Sequence, residues 1–171
     1  MTPKSFETER LIIRPTNIED APFIFELLNS PKWLKNIGNR NIKTVDDAKA
    51  YIENKMVPQL EKLGYSNNTV IRKSDGVKLG TCGLYNREGL DGVDIGFAFL
   101  PQYEKMGYAF ESTNKIKEVA KTEFGIEEIS AITLPENIDS QKLLKKLGLT
   151  FQKLIRLPND PEELMLFHIK L

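Results

Sequence analysis

Apolar and polar positions change period several times along these 171 residues, and the changes divide the chain into elements. The run RLIIRP (residues 10–15) is a short β-branched strand stopped by Pro15. In TNIEDAPFIFELLN, Ala21, Ile24, Phe25 and Leu28 fall on one helical stripe, with Thr16 and Glu19 as the expected capping box. TVDDAKAYIENKM is a second amphipathic helix, started by Thr44 and Asp47 and expected to kink or end near Pro58. Three strand-like runs follow, NTVIRK, KLGTCGLY and VDIGFAFL, joined by the turn sequences KSDG and NREGLDG. This middle section reads as an antiparallel meander.

Beyond residue 100 the pattern alternates. A helix is expected from Tyr108 to Thr122, with Ile116, Ala120 and Phe124 on one face. EEISAITL is a strand, DSQKLLKKLG a short helix ended by Gly148, LTFQKLIRL a strand and ELMLFHIKL a last strand. Strands flanking a helix in this way are expected to pair in parallel. The order is β-α-α-β-β-β-α-β-α-β-β. It defines an α/β (mixed α+β) class: a central, mostly antiparallel sheet of about seven strands flanked by four helices. With neither repeat nor linker, residues 1–171 form one domain.

Composition narrows the function. Hydrophobic residues make up 40% and charged residues 28%, as in a folded domain rather than a disordered chain. Lys plus Arg and Asp plus Glu stand at 24 each, so no net charge points to nucleic acid or an anionic membrane. No apolar run approaches membrane-spanning length, and MTPKSFETER lacks the apolar core of a signal peptide; the expectation is a cytoplasmic protein. A homodimer is compatible with all of this. The single cysteine, Cys82, excludes an intrachain disulfide and a multi-cysteine metal site, and it reads as a buried structural thiol. No metal is expected. The only histidine, His168, near the end of the last strand, reads as structural or exposed.

The stretch LPQYEKMGYAFES (100–112) carries the chemistry. An apolar strand breaks at Pro101, and Gly107 opens a helix. A helix mouth offers unpaired N–H groups and partial positive charge, and a glycine there lets a phosphate approach closely. The nucleotide-binding patterns GxxxxGK[ST] and GxGxxG are both missing. By itself, then, the glycine is helix punctuation.

The segment GFAFLPQYEKMGYAFES resembles the acetyl-CoA-binding segment of the GNAT superfamily of N-acetyltransferases, whose pattern is roughly Q/R-x-x-G-x-G/A. It aligns as Glu104-Lys105-Met106-Gly107-Tyr108-Ala109. PENIDSQKLLKKLGLTF is similar to a second segment of that superfamily, N-x-x-S-x-x-L-L-x-K-L-G-F. ETERLIIRP and the following EDA resemble the branch of ribosomal-protein N-terminal alanine acetyltransferases. Glu104 departs from the usual Gln or Arg, and Lys105 stands where many members have glycine. A lysine held at positive φ would be strained by roughly 1 kcal/mol.

The resemblance implies a GNAT-like fold and an acetyl-CoA-dependent N-acetyltransferase acting in a ternary complex with an amine acceptor, a protein N-terminus or a small molecule. A non-catalytic acyl-CoA-binding module is the alternative. The implied cofactor-binding residues are Phe99, Leu100, Glu104, Lys105, Met106, Gly107, Tyr108, Ala109 and Asn137. Backbone near Phe99 and Leu100 would meet the pantetheine amides, and an N–H near Ala98 or Phe99 would polarise the thioester carbonyl. Asn137 is also a turn residue near a helix start, and Ser140, the implied proton donor to the leaving thiolate, or Asp139 is also a candidate cap. Tyr108 is either a hydroxyl donor or a packing residue. Asp94 reads as an exposed strand acid, with a role as base, directly or through water, as the alternative. Lys142, Lys145 and Lys146 form a solvated helix face, with one reaching the cofactor phosphates as the other reading.

Overall fold

The computed structural model describes residues 3–171; Met1 and Thr2, the start of the polar opening segment, lie outside it. One sheet of eight strands organises the fold, in the order β1-β2-β3-β4-β5-β6-β8-β7. The strands are β1 (Phe6–Glu7), β2 (Leu11–Pro15), β3 (Asn67–Arg72), β4 (Lys78–Tyr85), β5 (Val93–Phe99), β6 (Glu128–Thr133), β7 (Thr150–Ile155) and β8 (Leu164–Lys170). Strands β3, β4 and β5 form the expected meander, each pair antiparallel. The β5–β6 pair is parallel, as the intervening helix requires.

The second parallel expectation needs correction. β6 and β7 flank a helix, but β8 inserts between them and pairs antiparallel with both. The reason is burial. Phe167 of β8 is fully buried, whereas β7 is exposed along nearly its whole length and suits an edge. The eighth strand, β1, is two residues long and gave no alternation to read.

The helices are α1 (Ala21–Leu28), α2 (Pro31–Asn36), α3 (Val45–Tyr51), α4 (Val57–Leu63), α5 (Tyr108–Thr122) and α6 (Ile138–Lys146). A π-helical segment, Ile52–Met56, joins α3 to α4, so the helix passes Pro58 rather than ending there. The wider turn absorbs the ring: Val57 N–H donates to Ile52 C=O, one residue further back than in an α-helix. The Thr44–Asp47 capping box forms as expected. The earlier box is shifted by one residue, to Asn17 and Asp20. Thr16 instead bonds Thr69 Oγ1 at 2.9 Å.

Asp20 explains that shift. Its fully buried carboxylate meets Arg14 at 2.7 and 2.8 Å and Lys78 at 2.7 Å, joining the start of α1 to β2 and β4. Burial alone would raise its pKa, but the two cations outweigh burial and hold it well below the usual carboxylate range. Helix α5 covers one core, with Leu11, Ile13, Cys82, Ile95, Ile116, Ala120 and Phe167 among its buried residues. Helices α1 and α3 gather a second around Ile24, Leu28, Ala48 and Ile52, which reaches Leu100 at the end of β5.

Candidate active site

Strands β5 and β6 begin side by side and then part. Their ladder holds only Val93–Ile129 and Asp94–Ser130, while β5 continues paired to β4 as far as Phe99. Leu100 N–H donates to Leu79 C=O at 3.0 Å, so its peptide faces β4. By strand alternation Ala98 and Gly96 face β4 too, and Phe97 and Phe99 turn their N–H and C=O into the opening toward β6. The Leu100 N–H is thus taken by β4, and of the two expected donors, Ala98 and Phe99, it is Phe99 whose N–H faces the wedge.

The loop after β5 leads to the mouth of α5. Gly107 is the N-cap at φ +83°, a left-handed conformation that glycine adopts without penalty. Lys105 is also left-handed, at φ +61°, and carries the strain foreseen for it. Among the described residues, the N–H groups of Lys105 through Phe110 donate to no protein acceptor. They form a run of free donors at the positive end of a 15-residue helix, suited to a diphosphate.

Three cations outside the loop hold it. Arg10 donates to Met106 C=O at 3.1 Å, pairs with Glu111 at 2.7 Å and lies over the Tyr108 ring at 4.4 Å. Burial pushes the Glu111 carboxyl up, but Thr8 and Arg10 outweigh it and hold its pKa below the ordinary value. Arg72 lies over Tyr103 at 5.4 Å and reaches the Tyr108 hydroxyl at 3.4 Å. Tyr108 is buried with its ring packed into the core, so its hydroxyl is oriented by Arg72. Lys32, from α2, pairs with Glu104. Met106 is exposed, and Ala109 packs on the core.

The mouth of α6 lies past the end of β6, the other arm of the wedge. Asn137 is its N-cap, with Oδ1 accepting from Ser140 N–H at 3.3 Å. Neither Ser140 nor Asp139 caps the helix. Ser140 is buried, and among the described residues its hydroxyl has no protein partner. The Asn137 side-chain NH2 is similarly free of protein acceptors. Lys142 and Lys145 are solvated, and Lys146 lies over the Phe110 ring at 4.1 Å.

Asp94 is not an exposed acid. It is 1% exposed, beside its cross-strand neighbour Tyr85, at the last rung before the strands part. The alternation was read correctly, but the polar parity of β5 is covered rather than open. Oδ2 meets Arg87 at 3.3 Å, and among the described residues Oδ1 is buried without a partner. Burial raises its pKa, and Arg87 only partly offsets that. Cys82 is fully buried, with its thiol pushed up to about 12 by burial, and so is inert. His168 lies 3.3 Å from Glu128, on β8. Among the described residues no three His, Cys, Asp or Glu side chains gather as a metal site, and no helix is long and apolar enough to cross a membrane.

A parted parallel pair, flanked by two helix mouths with free donors, can take an extended ligand with hydrogen-bonding amides and an anionic end. Residues 10–150 match the acetyltransferase (GNAT) domain family. The chain belongs to that family and is an acyltransferase. It is 30% identical over 142 residues to the uncharacterized N-acetyltransferase YnaD of Bacillus subtilis, covering 83% of this chain and 80% of that protein. The fold is similar to that of a GNAT-family acetyltransferase from Bacillus anthracis, at TM-score 0.79 and 22% identity, covering 98% of both chains. It is also similar to that of RimL, a ribosomal L7/L12 α-N-protein acetyltransferase in complex with coenzyme A. There the TM-score is 0.82 at 12% identity, again covering 98% of both chains.

Arg10, Arg72 and Lys32 escaped the sequence reading. Their partners stand 96, 36 and 72 positions away along the chain, and no local pattern signals such contacts.

Proposed function

We propose that this protein transfers the acetyl group of acetyl-CoA to a primary amine by direct attack within a ternary complex. A protein N-terminal α-amino group is the favoured acceptor. The observation that carries the reading is the wedge itself. Its unpaired β5 backbone runs from a buried carboxylate at the apex to free helix-mouth donors at the open end.

The chain's residues have separable tasks. The N–H groups of Lys105–Phe110 and the side-chain amide of Asn137 hold the phosphate and pantetheine arm, and Gly107 takes without strain the left-handed turn that aims this run of donors. Phe97 and Phe99 offer N–H donors along the wedge, where one can polarise the thioester carbonyl. Asp94, directly or through a water, takes the proton that the amine loses as the C–N bond forms. Its raised pKa makes it a stronger base than an ordinary aspartate. As the C–S bond breaks, Ser140 Oγ donates a proton to the leaving sulfur; the Tyr108 hydroxyl is held by Arg72 of β3, two strands from the wedge, and Tyr108 is a packing residue. Proximity supplies most of the rate, and these groups need contribute only modestly.

An α-amine favours this economy. Its pKa near 7.7–8.0, against about 10.4 for lysine, leaves an appreciable neutral fraction at pH 7. The resemblance of ETERLIIRP and NIDSQKLLKKLG to the ribosomal N-terminal branch supports the same acceptor. The test is an acetyl-transfer assay on peptides with free or blocked N-termini, each with and without lysine, beside spermidine and small amino acids. Transfer to free N-termini only is expected. Transfer that survives blocking but requires lysine, or that occurs with spermidine alone, overturns the acceptor. A lack of any acetyl-CoA-induced rise in melting temperature overturns the cofactor as well.

A further inference from the structure

Glu104 opens the cofactor loop with a negative charge, where a diphosphate should meet none. The structure turns that carboxylate onto Lys32 of α2, in a segment 72 positions away along the chain. Residues 30–41 form a flap. Asn29 closes its base, donating to Phe25 C=O at 2.8 Å and to Ile42 C=O at 2.9 Å. Between Pro31 and Asn41, among the described residues, the Lys32–Glu104 pair is the one side-chain hydrogen bond or ion pair leaving the segment. The rest of the attachment is apolar, through Trp33, whose Nε1 is buried without an acceptor. Leu34 and Ile37 face solvent at 43% and 41% exposure.

We propose that Lys32 is a positioning residue for the cofactor: its ion pair with Glu104 latches the flap of residues 30–41 to the first residue of the cofactor loop. This rests on acetyl-CoA occupying that loop, as proposed above. Glu104 is then a fastening point rather than a phosphate ligand. The pair cancels the charge that would repel the diphosphate. It also fixes the residue from which the left-handed turn at Lys105 departs. Coupling of this kind is reciprocal: whatever factor the latch contributes to cofactor affinity, the cofactor returns to flap closure.

The latch makes a prediction of sign that plain electrostatics does not. If the two side chains act only as charges near a diphosphate, removing Lys32 weakens binding and removing the Glu104 charge tightens it. If they act as a latch, both changes release the flap and both weaken binding. A pair this exposed couples by about two- to fivefold in an equilibrium constant, fading at high salt.

The experiment measures CoA affinity by calorimetry, and hydrogen exchange in peptides covering residues 30–41, for wild type, K32A, E104Q, the double variant and K32R. Expected are two- to fivefold losses of affinity in each single Ala or Gln variant, no further loss in the double variant, and near-wild-type behaviour in K32R. Flap exchange should be faster in K32A and E104Q without ligand, and CoA should slow it most in wild type. Tighter CoA binding by E104Q with unchanged flap exchange overturns the latch, as do wild-type affinity and exchange in every variant. Wild-type protein that binds no CoA refutes the cofactor assignment itself and the positioning role with it. That result differs from normal binding that no variant disturbs.

Discussion

Replacing Gly107 with alanine separates what this residue does for the fold from what it does for the ligand. At φ +83° an alanine is forced into the left-handed region, which costs about 1–2 kcal/mol. The stiffer unfolded chain returns about 0.4–1 kcal/mol of that, leaving a net loss of about 1 kcal/mol. The new Cβ would meet Arg10 Nη2 at 3.2 Å, and a flexible guanidinium can yield by the few tenths of an ångström required. Moving Arg10 also disturbs its bond to Met106 C=O, and so the free N–H groups around it. The expected fall in melting temperature is about 2–4 °C for a chain of this size. Affinity for acetyl-CoA should drop at least about tenfold, or about 1.4 kcal/mol, because displacing Arg10 and straining the turn at residue 107 re-aims the free N–H groups that follow it. Gly125→Ala is the control. It stands at φ +64° with open space around the added Cβ, beyond the far end of α5. The same backbone penalty applies there without the ligand. Urea titrations and calorimetry on both variants decide the matter. Equal stability losses with wild-type affinity in both would refute the cradle and leave residues 104–109 as a helix start only.

Three further variants probe the buried carboxylates and their partners. In Asp94→Asn the rise of kcat/KM with pH that follows ionisation of a base should vanish, and in wild type that rise should lie above the ordinary aspartate range near 3.9, since burial raises the pKa. Arg87→Leu should move the same limb to still higher pH, because Arg87 lowers the pKa of Asp94; a limb that stays put would assign it to the amine instead. The folded state holds the Asp94 proton more tightly than the unfolded chain, so this group makes stability fall as pH rises through that window, and Asp94→Asn should remove the fall in pH-dependent melting. Asp20→Asn should cost about 3 kcal/mol at neutral pH, near the lower bound for breaking a buried pair because Arg14 and Lys78 are partly exposed. Its pKa is depressed, so that stability is present above about pH 3.9 and is lost as pH falls toward the folded value; acid denaturation curves of the two proteins should therefore converge at low pH.

Local chemistry was legible, and contacts distant in sequence were not. The Tyr108–Thr122 helix, the Thr44–Asp47 cap and the three meander strands were each encoded within a dozen or so residues. Helix α2, by contrast, spans six residues with no amphipathic stripe and a proline at its start, and nothing nearby predicts it. The insertion of β8 depends on which of two late strands buries more, a comparison made across the whole core. Asp94 shows the same limit within one residue. Its parity on β5 was readable, but its burial depended on what packs over that parity. The cofactor loop was located by its sequence, whereas the clamp that shapes it, Arg10, Arg72 and Lys32, is assembled entirely by the fold.

Lys105 is where fold and function make opposite demands. It is held at φ +61°, in a position where glycine would be free of strain. Lysine there sacrifices stability, and a compensating role should be visible. Its own N–H begins the run of free donors and its side chain is exposed, so its full charge can add to the partial charge of the helix end when an anion is bound there. Lys105→Gly should therefore raise stability by about 0.5–1 kcal/mol, the left-handed strain relieved less the entropy that glycine adds to the unfolded chain. The same variant should bind acetyl-CoA more weakly, and its affinity should fall less steeply with added salt, since one screened cation is gone. Denaturant titrations give the first quantity, and calorimetry at two ionic strengths gives the other two. Stability and affinity that rise together would mean that the lysine is merely tolerated, and that backbone donors alone hold the phosphates.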